Sequence, residues 1–172
     1  MSRLSEFRKR KDALFAESEQ SPLTPEQQAD FTGLDYFPEN EEFSLVLPVN
    51  RDGAGDRIVV DTSDHQPREY VRYGTITFPV GEKEETLTLL GTPGQSRLFL
   101  PFVDGTSGVE TYYNGRYLEP RLRPDGTVEV DFNYAYNPYC AYGDGWSCPI
   151  PPIENRITSR IEAGERAFSL EH

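Results

Sequence analysis

The sequence predicts a mainly β protein, in which an antiparallel meander forms a β-barrel or a barrel-like sandwich and a helix precedes the strands. Three observations predict this class. Apolar residues follow a helical period near the N-terminus, this period ends after Phe31, and from Phe43 onward short β-rich runs alternate with glycine, proline, asparagine and aspartate. About eight or nine strands are expected, and a two-sheet jelly roll is the alternative architecture.

In chain order, the first element is an amphipathic helix over about residues 3–18, which packs on the β domain or plugs one end of it. Its apolar residues share one helical face: Leu4, Phe7, Leu14 and Phe15. A short second helix is expected next, because an N-cap, a proline at the first helical position and a capping-box partner follow in order: Thr24, Pro25 and Gln27.

The remaining chain, about residues 31–169, is expected to form the β domain, so that residues 1–169 make a single domain. The last three residues, Leu170, Glu171 and His172, look like the start of a purification tag and are left out of functional reasoning. Strands are predicted over residues 44–49, 57–61, 69–78, 84–90, 97–102, 109–113, 116–123, 127–133 and 156–162.

Two turns predict a register for strands 109–133. Asn114-Gly115 is a strong two-residue hairpin signal, which pairs Tyr113 with Arg116. Residues 123–126 form a three-residue loop with glycine in the left-handed conformation, which pairs residue 123 with residue 127. One face of this sheet then collects apolar side chains and faces the core: Val109, Thr111, Tyr113, Leu118, Pro120, Leu122, Val128, Val130 and Phe132.

The composition restricts the class of partner. Seventeen Lys+Arg against 29 Asp+Glu give a net charge of -12, and only three of the basic residues are lysines. We interpret this as adaptation to concentrated salt, with a halophilic protein as the expectation. A surface this negative repels phosphate backbones and anionic lipid, so neither nucleic acid nor a membrane is expected as a partner. The one basic run, residues 8–11, is interpreted as the solvated face of the first helix.

The expected location is cytoplasmic. No apolar run approaches the roughly 18 to 20 residues that a membrane span needs. Charged residues stand where a secretory signal peptide has its apolar stretch.

The most unusual segment is residues 131–156, DFNYAYNPYCAYGDGWSCPIPPIENR. It combines four tyrosines, one tryptophan and both cysteines with four prolines, and it is too rich in breakers for regular structure. Such a segment is ordered only if its rings are buried and its backbone groups are paired. We therefore expect residues 134–154 to form an ordered loop that makes one wall of the principal cavity.

A set of motifs in this segment and elsewhere resembles a known family. The run NPYCAY, followed by WSCP, PP and EN, together with FTGLDYFP, LPFVDGTSG, ETYYNGRYL and AGE, is similar to an uncharacterised family of bacterial and archaeal proteins with a domain of unknown function. The resemblance extends from Phe7 to Glu165. It implies no activity.

The two cysteines, Cys140 and Cys148, allow several interpretations. Two buried structural thiols are the first, since a reducing compartment disfavours a disulfide. No metal site is expected, because zinc needs about four ligands and His65 is the only histidine outside the tag-like end. A nucleophilic Cys140 with His65 as its base is the enzymatic alternative.

Charged residues supply further candidates. One sheet face carries Glu110, Glu119, Glu129 and Asp131. These carboxylates could form an acid–base site or a cation site, and the alternative is a solvated surface without a specific role. Arg116 falls on the apolar face, where it must reach solvent from the hairpin end or find an anionic partner.

The leading functional hypothesis is a non-enzymatic module that binds a small, partly aromatic or anionic molecule. Its expected ligand-binding residues are Tyr113, Arg116, Asn133, Tyr134, Asn137, Tyr139, Cys140 and Trp146. The alternative is a small hydrolase-like enzyme that uses Cys140 or the clustered carboxylates, and a structural or partner-binding protein is the third class. The sequence identifies no cofactor and no oligomeric state.

Overall fold

The structure is a computed structural model and describes residues 2–93 and 97–169. The tag-like residues 170–172 lie outside the described part. Within it, no helix has the length and apolar character that crossing a bilayer requires.

Two α-helices open the chain, as the sequence predicts. Helix α1 spans Arg3–Glu17 and begins where the Ser2 side chain accepts a hydrogen bond from the Ser5 N–H. Helix α2 spans Pro25–Asp30 and has the complete capping box between Thr24 and Gln27. The two reciprocal bonds satisfy backbone donors that a helix start otherwise leaves free.

Eight strands follow within the described residues: β1 Ser44–Leu47, β2 Arg57–Val60, β3 Arg68–Val80, β4 Lys83–Gly91, β5 Leu98–Phe102, β6 Arg116–Leu118, β7 Arg121–Leu122 and β8 Val128–Asp131. Strands β2 to β6 form a curled five-stranded antiparallel sheet in chain order, which makes a half-barrel. A second sheet has the order β1-β8-β7. The expected mainly β fold with an N-terminal helix is therefore confirmed.

The main core lies between the two sheets. Phe132, which is fully buried, stands at its centre and makes ring contacts with Phe43, Phe78 and Phe102. Leu118, Val128 and Val130 are buried in the same cluster, as the alternation of the sequence predicts.

The second predicted hairpin is confirmed and the first is wrong. Strands β7 and β8 pair Leu122 with Val128, and the Arg123 N–H donates to the Thr127 carbonyl at 2.8 Å. Residues 109–113 form turns instead of a strand, and Arg116 pairs with Phe102 of β5. The chain still turns at Asn114-Gly115, but β6 then pairs along the edge of β5 and not with residues 109–113.

Two other predicted strands differ from the structure. The predicted strand 116–123 is divided at Glu119-Pro120, because β6 joins the half-barrel and β7 joins the second sheet. Residues 156–162 contain no strand and make one parallel bridge, between Val103 and Arg156. They nevertheless enter the core, where Ile161 is fully buried.

Candidate functional site

The aromatic loop, residues 134–154, is ordered by tertiary contacts. Its Tyr142 ring is fully buried and packs edge-on against Phe15 of α1, with centroids 5.0 Å apart. The Tyr142 carbonyl accepts a hydrogen bond from Gln27 of α2 at 3.1 Å. Both helices therefore contact the loop and hold it in place.

An open cleft of about 780 Å³, which we name the aromatic cleft, lies between this loop and α1. Helix α1 contributes one wall with Phe7, Arg10, Lys11, Leu14 and Phe15. The opposite wall and floor consist of Tyr117, Glu119, Tyr136, Asn137, Pro138, Tyr139, Trp146, Ser147, Cys148 and Pro149. The aromatic loop thus forms a wall of a major cavity, as expected from its sequence.

Several apolar side chains of the cleft remain in contact with solvent. Leu14 is 45% exposed, and Tyr139 and Trp146 are each 39% exposed. The rings of Tyr139 and Trp146 contact each other edge-on at 5.0 Å. Apolar groups that face each other across an open cleft gain free energy when a ligand covers them.

A buried ion pair lies under the cleft. Lys11 Nζ is 2.7 Å from Glu165 Oε2, and the Glu165 side chain is 1% exposed. The same carboxylate accepts the Asn137 N–H at 3.1 Å and the Tyr142 hydroxyl at 2.6 Å. Burial, together with this carboxylate, raises the pKa of Tyr142 well above its ordinary value. The ion pair and its hydrogen bonds hold α1, the loop and the C-terminal segment together.

Two tyrosines of the cleft wall are also fixed by hydrogen bonds. The Tyr136 hydroxyl donates to Glu119 Oε1 at 2.6 Å, and the Tyr117 hydroxyl donates to the Pro149 carbonyl. Burial is the largest cause that raises the pKa of each phenol. Both rings are therefore neutral, preorganised surfaces at neutral pH.

Arg10 differs from the other cation of the cleft. Lys11 is neutralised by Glu165, whereas Arg10 is exposed and makes no ion pair with a described carboxylate. Its guanidinium therefore lies at the edge of an apolar cavity and carries a positive charge that no described carboxylate neutralises.

Two further cavities border the loop. A polar cleft of about 810 Å³ lies beside the start of α1 and includes Asn133 and Tyr134. A small pocket of about 360 Å³ is lined by residues that include Ser63, Tyr113, Cys140 and Trp146. Trp146 separates this small pocket from the aromatic cleft, since it lines both.

The structure therefore divides the eight predicted ligand-binding residues among several places. Asn137, Tyr139 and Trp146 meet in the aromatic cleft, and Tyr113 and Cys140 meet Trp146 at the small pocket. Asn133 is almost fully buried and exchanges hydrogen bonds with the Asn40 backbone, which is a structural arrangement.

Arg116 lies in the core and lines none of the three cavities. Its side chain is fully buried, and its guanidinium donates to the carbonyls of Ile161, Ala163 and Glu165. Asp104 lies 3.6 Å away as the anionic partner. Burial lowers the pKa of Arg116, and Asp104 opposes that shift. The sequence left two alternatives for Arg116, which were contact with solvent and an anionic partner. In the structure, its partners are the Asp104 carboxylate and backbone carbonyls of the same chain.

The geometry around Cys140 differs from the proposed Cys–His arrangement. Its Sγ contacts Ser63 Oγ at 3.2 Å, the Trp146 carbonyl at 3.4 Å and Cys148 Sγ at 2.7 Å. His65 belongs to the loop that supplies Ser63, yet its ring is 85% exposed and lies 3.4 Å from Asp61. The loop that contains His65 does contact the cysteines, but the contacting residue is Ser63.

The predicted acidic face is only partly assembled. Glu119, Glu129 and Asp131 border the polar cleft. Glu110 instead forms an ion pair with Arg160. Asp131 accepts the N–H of Asn133 and so caps a short 3-10 helix over Phe132–Tyr134.

Sequence reasoning missed the contribution of α1 to the site. Leu14 and Phe15 are neighbours on a helix and point about 100° apart, so one of them can face the core while the other borders a surface. Phe15 is 2% exposed and Leu14 is 45% exposed. This adjacency was the available signal for an apolar helix edge next to a cavity.

Comparison with known proteins agrees with the fold and assigns no activity. The solution NMR structure of an uncharacterized protein from Haloarcula marismortui is similar, with 36% sequence identity and a TM-score of 0.71. The match covers 98% of this chain and 94% of that chain. None of the curated proteins matches this chain. Residues 29–166 match the model of a family described as protein of unknown function (DUF1684), and the chain belongs to this family.

Proposed function

We propose that this protein binds a small molecule with an apolar or aromatic body and an anionic group, and that it does so in the aromatic cleft. The observation that carries the proposal is the combination of an open 780 Å³ cavity with exposed Leu14, Tyr139 and Trp146 on facing walls. Ligand sites in proteins are typically about 300–1,000 Å³, mostly apolar, with a few fixed polar groups.

The polar groups of the cleft favour an anion over a cation. Arg10 is exposed at its edge, and Lys11 adds a second positive group that is already paired. Glu119, the acidic residue of the lining, accepts a hydrogen bond from Tyr136. A planar apolar body between the α1 wall and the tyrosines would leave a carboxylate or sulfonate within reach of Arg10.

The protein has one tryptophan, Trp146, so tryptophan fluorescence reports on the wall that this cleft shares with the small pocket. We would titrate the protein with anilinonaphthalene sulfonate, an anionic aromatic probe, and with an uncharged phenylnaphthylamine. Binding of either probe should change Trp146 emission. Native mass spectrometry of the freshly purified protein would identify a co-purified natural ligand.

Leu14→Ala and Leu122→Ala form a matched pair, since the two leucines are 45% and 41% exposed and Leu122 lies outside the cleft lining. Leu14→Ala removes apolar surface worth about 1 kcal/mol of ligand contact, which weakens binding of both probes roughly fivefold. Leu122→Ala should leave both affinities unchanged. Equal effects of the two variants would contradict binding in the aromatic cleft.

Arg10→Gln tests the anionic group separately. It should weaken binding of the sulfonate by up to about fivefold at low salt, because an exposed ion pair contributes about 0.2–1 kcal/mol. The uncharged probe should bind as before. Loss of both affinities would mean that Arg10 shapes the cleft instead of attracting charge.

A further inference from the structure

Cys140 and Cys148 are the only cysteines in the chain and lie at the two ends of the segment that contains Trp146. Their Sγ atoms are 2.7 Å apart, and both are free thiols. A disulfide bond is about 2.05 Å long. The two sulfurs are therefore within less than about 1 Å of bonding distance.

A neighbouring segment holds the two cysteines in this arrangement. The Cys148 N–H donates to Ser63 Oγ at 3.0 Å, and the Ser63 N–H donates to the Cys148 carbonyl at 2.9 Å. Ser63 Oγ also lies 3.2 Å from Cys140 Sγ and donates to the Trp146 carbonyl at 2.8 Å. Ser63, which lies far from both cysteines in sequence, thus holds the two thiols close together through its hydrogen bonds.

The two thiols differ in accessibility. Cys140 is half-buried and borders the small pocket, which is open to solvent. Cys148 is buried at the wall of the aromatic cleft, and burial, followed by its contact with Cys140, raises its pKa to about 12. An incoming reagent therefore reaches Cys140 first.

We propose that Cys140 and Cys148 are a redox-active pair that closes reversibly to a disulfide by exchange with a small-molecule disulfide. The Cys140 thiolate attacks one sulfur of the reagent, so that a mixed disulfide forms and one thiolate leaves. Cys148 gives up its proton and attacks the Cys140 sulfur, which expels the second thiolate. The two cysteines are oxidised, the reagent is reduced to two thiols, and these carry the two protons released by the cysteines.

The disulfide would tie both ends of the Trp146 segment together. Trp146 separates the aromatic cleft from the small pocket, so the bond would fix a wall that both cavities share. This inference does not rest on ligand binding in the cleft, and its test uses no ligand.

The full chain would be equilibrated in glutathione buffers of increasing oxidised fraction, quenched with a thiol-alkylating reagent and weighed by intact mass spectrometry. The wild type should pass from two alkylated thiols to none in one transition, without a retained glutathione. Dithiothreitol should restore both thiols, and Trp146 emission should change and recover in parallel. Retention of glutathione, or two free thiols in excess oxidised glutathione, would overturn the proposal.

Single variants separate the roles of the two thiols. Cys148→Ser should stop at a stable glutathione adduct on Cys140. Cys140→Ser should react with oxidised glutathione at least tenfold more slowly, because the remaining thiol is buried. Equal rates for these two variants would contradict the assigned order of attack. Ser63→Ala should prolong the life of the mixed disulfide, and an unchanged lifetime would contradict positioning by Ser63.

Discussion

Asn155 offers a sharp test of how the half-barrel is held together. Its side chain is fully buried at the end of a short 3-10 helix, Ile153–Asn155. Oδ1 accepts the Thr88 N–H at 2.8 Å, and Nδ2 donates to the carbonyls of Thr88 and Pro101, each at 2.9 Å. Thr88 belongs to β4 and Pro101 to β5, so one amide replaces backbone pairing between the two strands.

The direct pairing of β4 with β5 that the structure describes joins Leu90 to Phe99 and Gly91 to Leu98. Asn155 extends this link toward the other end of β5. Asn155→Ala leaves one backbone N–H and two carbonyls buried without the side-chain partner. Each unsatisfied group costs about 1–3 kcal/mol, and partial relaxation of the site brings the expected loss in the free energy of unfolding to about 3–5 kcal/mol.

Urea unfolding followed by far-ultraviolet circular dichroism measures this loss. Asn40→Ala is the control, since the Asn40 side chain accepts one hydrogen bond, from the Glu42 N–H, near the surface. This control should lose about 1 kcal/mol. A loss for Asn155→Ala no larger than that of the control would refute the role of Asn155 as a bridge between β4 and β5.

Three other predictions concern stability. Gly115→Ala should destabilise the protein by more than about 3 kcal/mol, because a Cβ at φ +90° would collide with the Phe102 carbonyl. Gly126→Ala is the control, since Gly126 has φ +88° in open space, and it should cost about 1–2 kcal/mol. Similar losses of the two variants in urea unfolding would contradict the collision. Burial is the largest cause that raises the pKa of Tyr36, Tyr117, Tyr136 and Tyr142. Their neutral forms therefore stabilise the fold below about pH 10, and this contribution is lost as the pH rises further, because the unfolded chain releases those protons first. The urea concentration at the midpoint of unfolding should fall above pH 10. A spectroscopic titration in which all ten phenols of the folded protein ionise near their ordinary pKa would disprove this prediction. The net charge of -12 predicts a melting temperature that rises from low to molar salt as repulsion is screened, and a flat or falling response in a thermal melt would argue against that prediction.

Local signals in the sequence predicted local structure well. The capping box at Thr24 and Gln27 starts α2, and the turn over residues 123–126 pairs β7 with β8. In each case the partners are separated by a few residues, so turn and cap chemistry decides the outcome. The same chemistry at Asn114-Gly115 correctly predicted a turn, but the pairing with residues 109–113 that it also predicted is wrong, since β6 pairs with β5.

Side chains whose partners lie far away in sequence could not be assigned in advance. Arg116 was placed correctly on the apolar side, but its partners come from Asp104 and from carbonyls more than 40 residues later. Asn155 contacts Thr88 and Pro101 on two strands far away in sequence, and no local pattern around Asn155 points to these partners.

The sequence by itself determined the fold class, the two helices and the segment that forms a wall of the aromatic cleft. Hydrophobic periodicity and breaker residues act over a few residues, and aromatic rings in such numbers have to be buried wherever the chain runs. Only the tertiary structure decided that α1 forms the opposite wall, that Lys11 is neutralised by Glu165, and that Ser63 brings Cys140 and Cys148 together. These contacts join residues that lie far apart in the sequence, and their geometry follows from how whole elements pack, which no local pattern encodes.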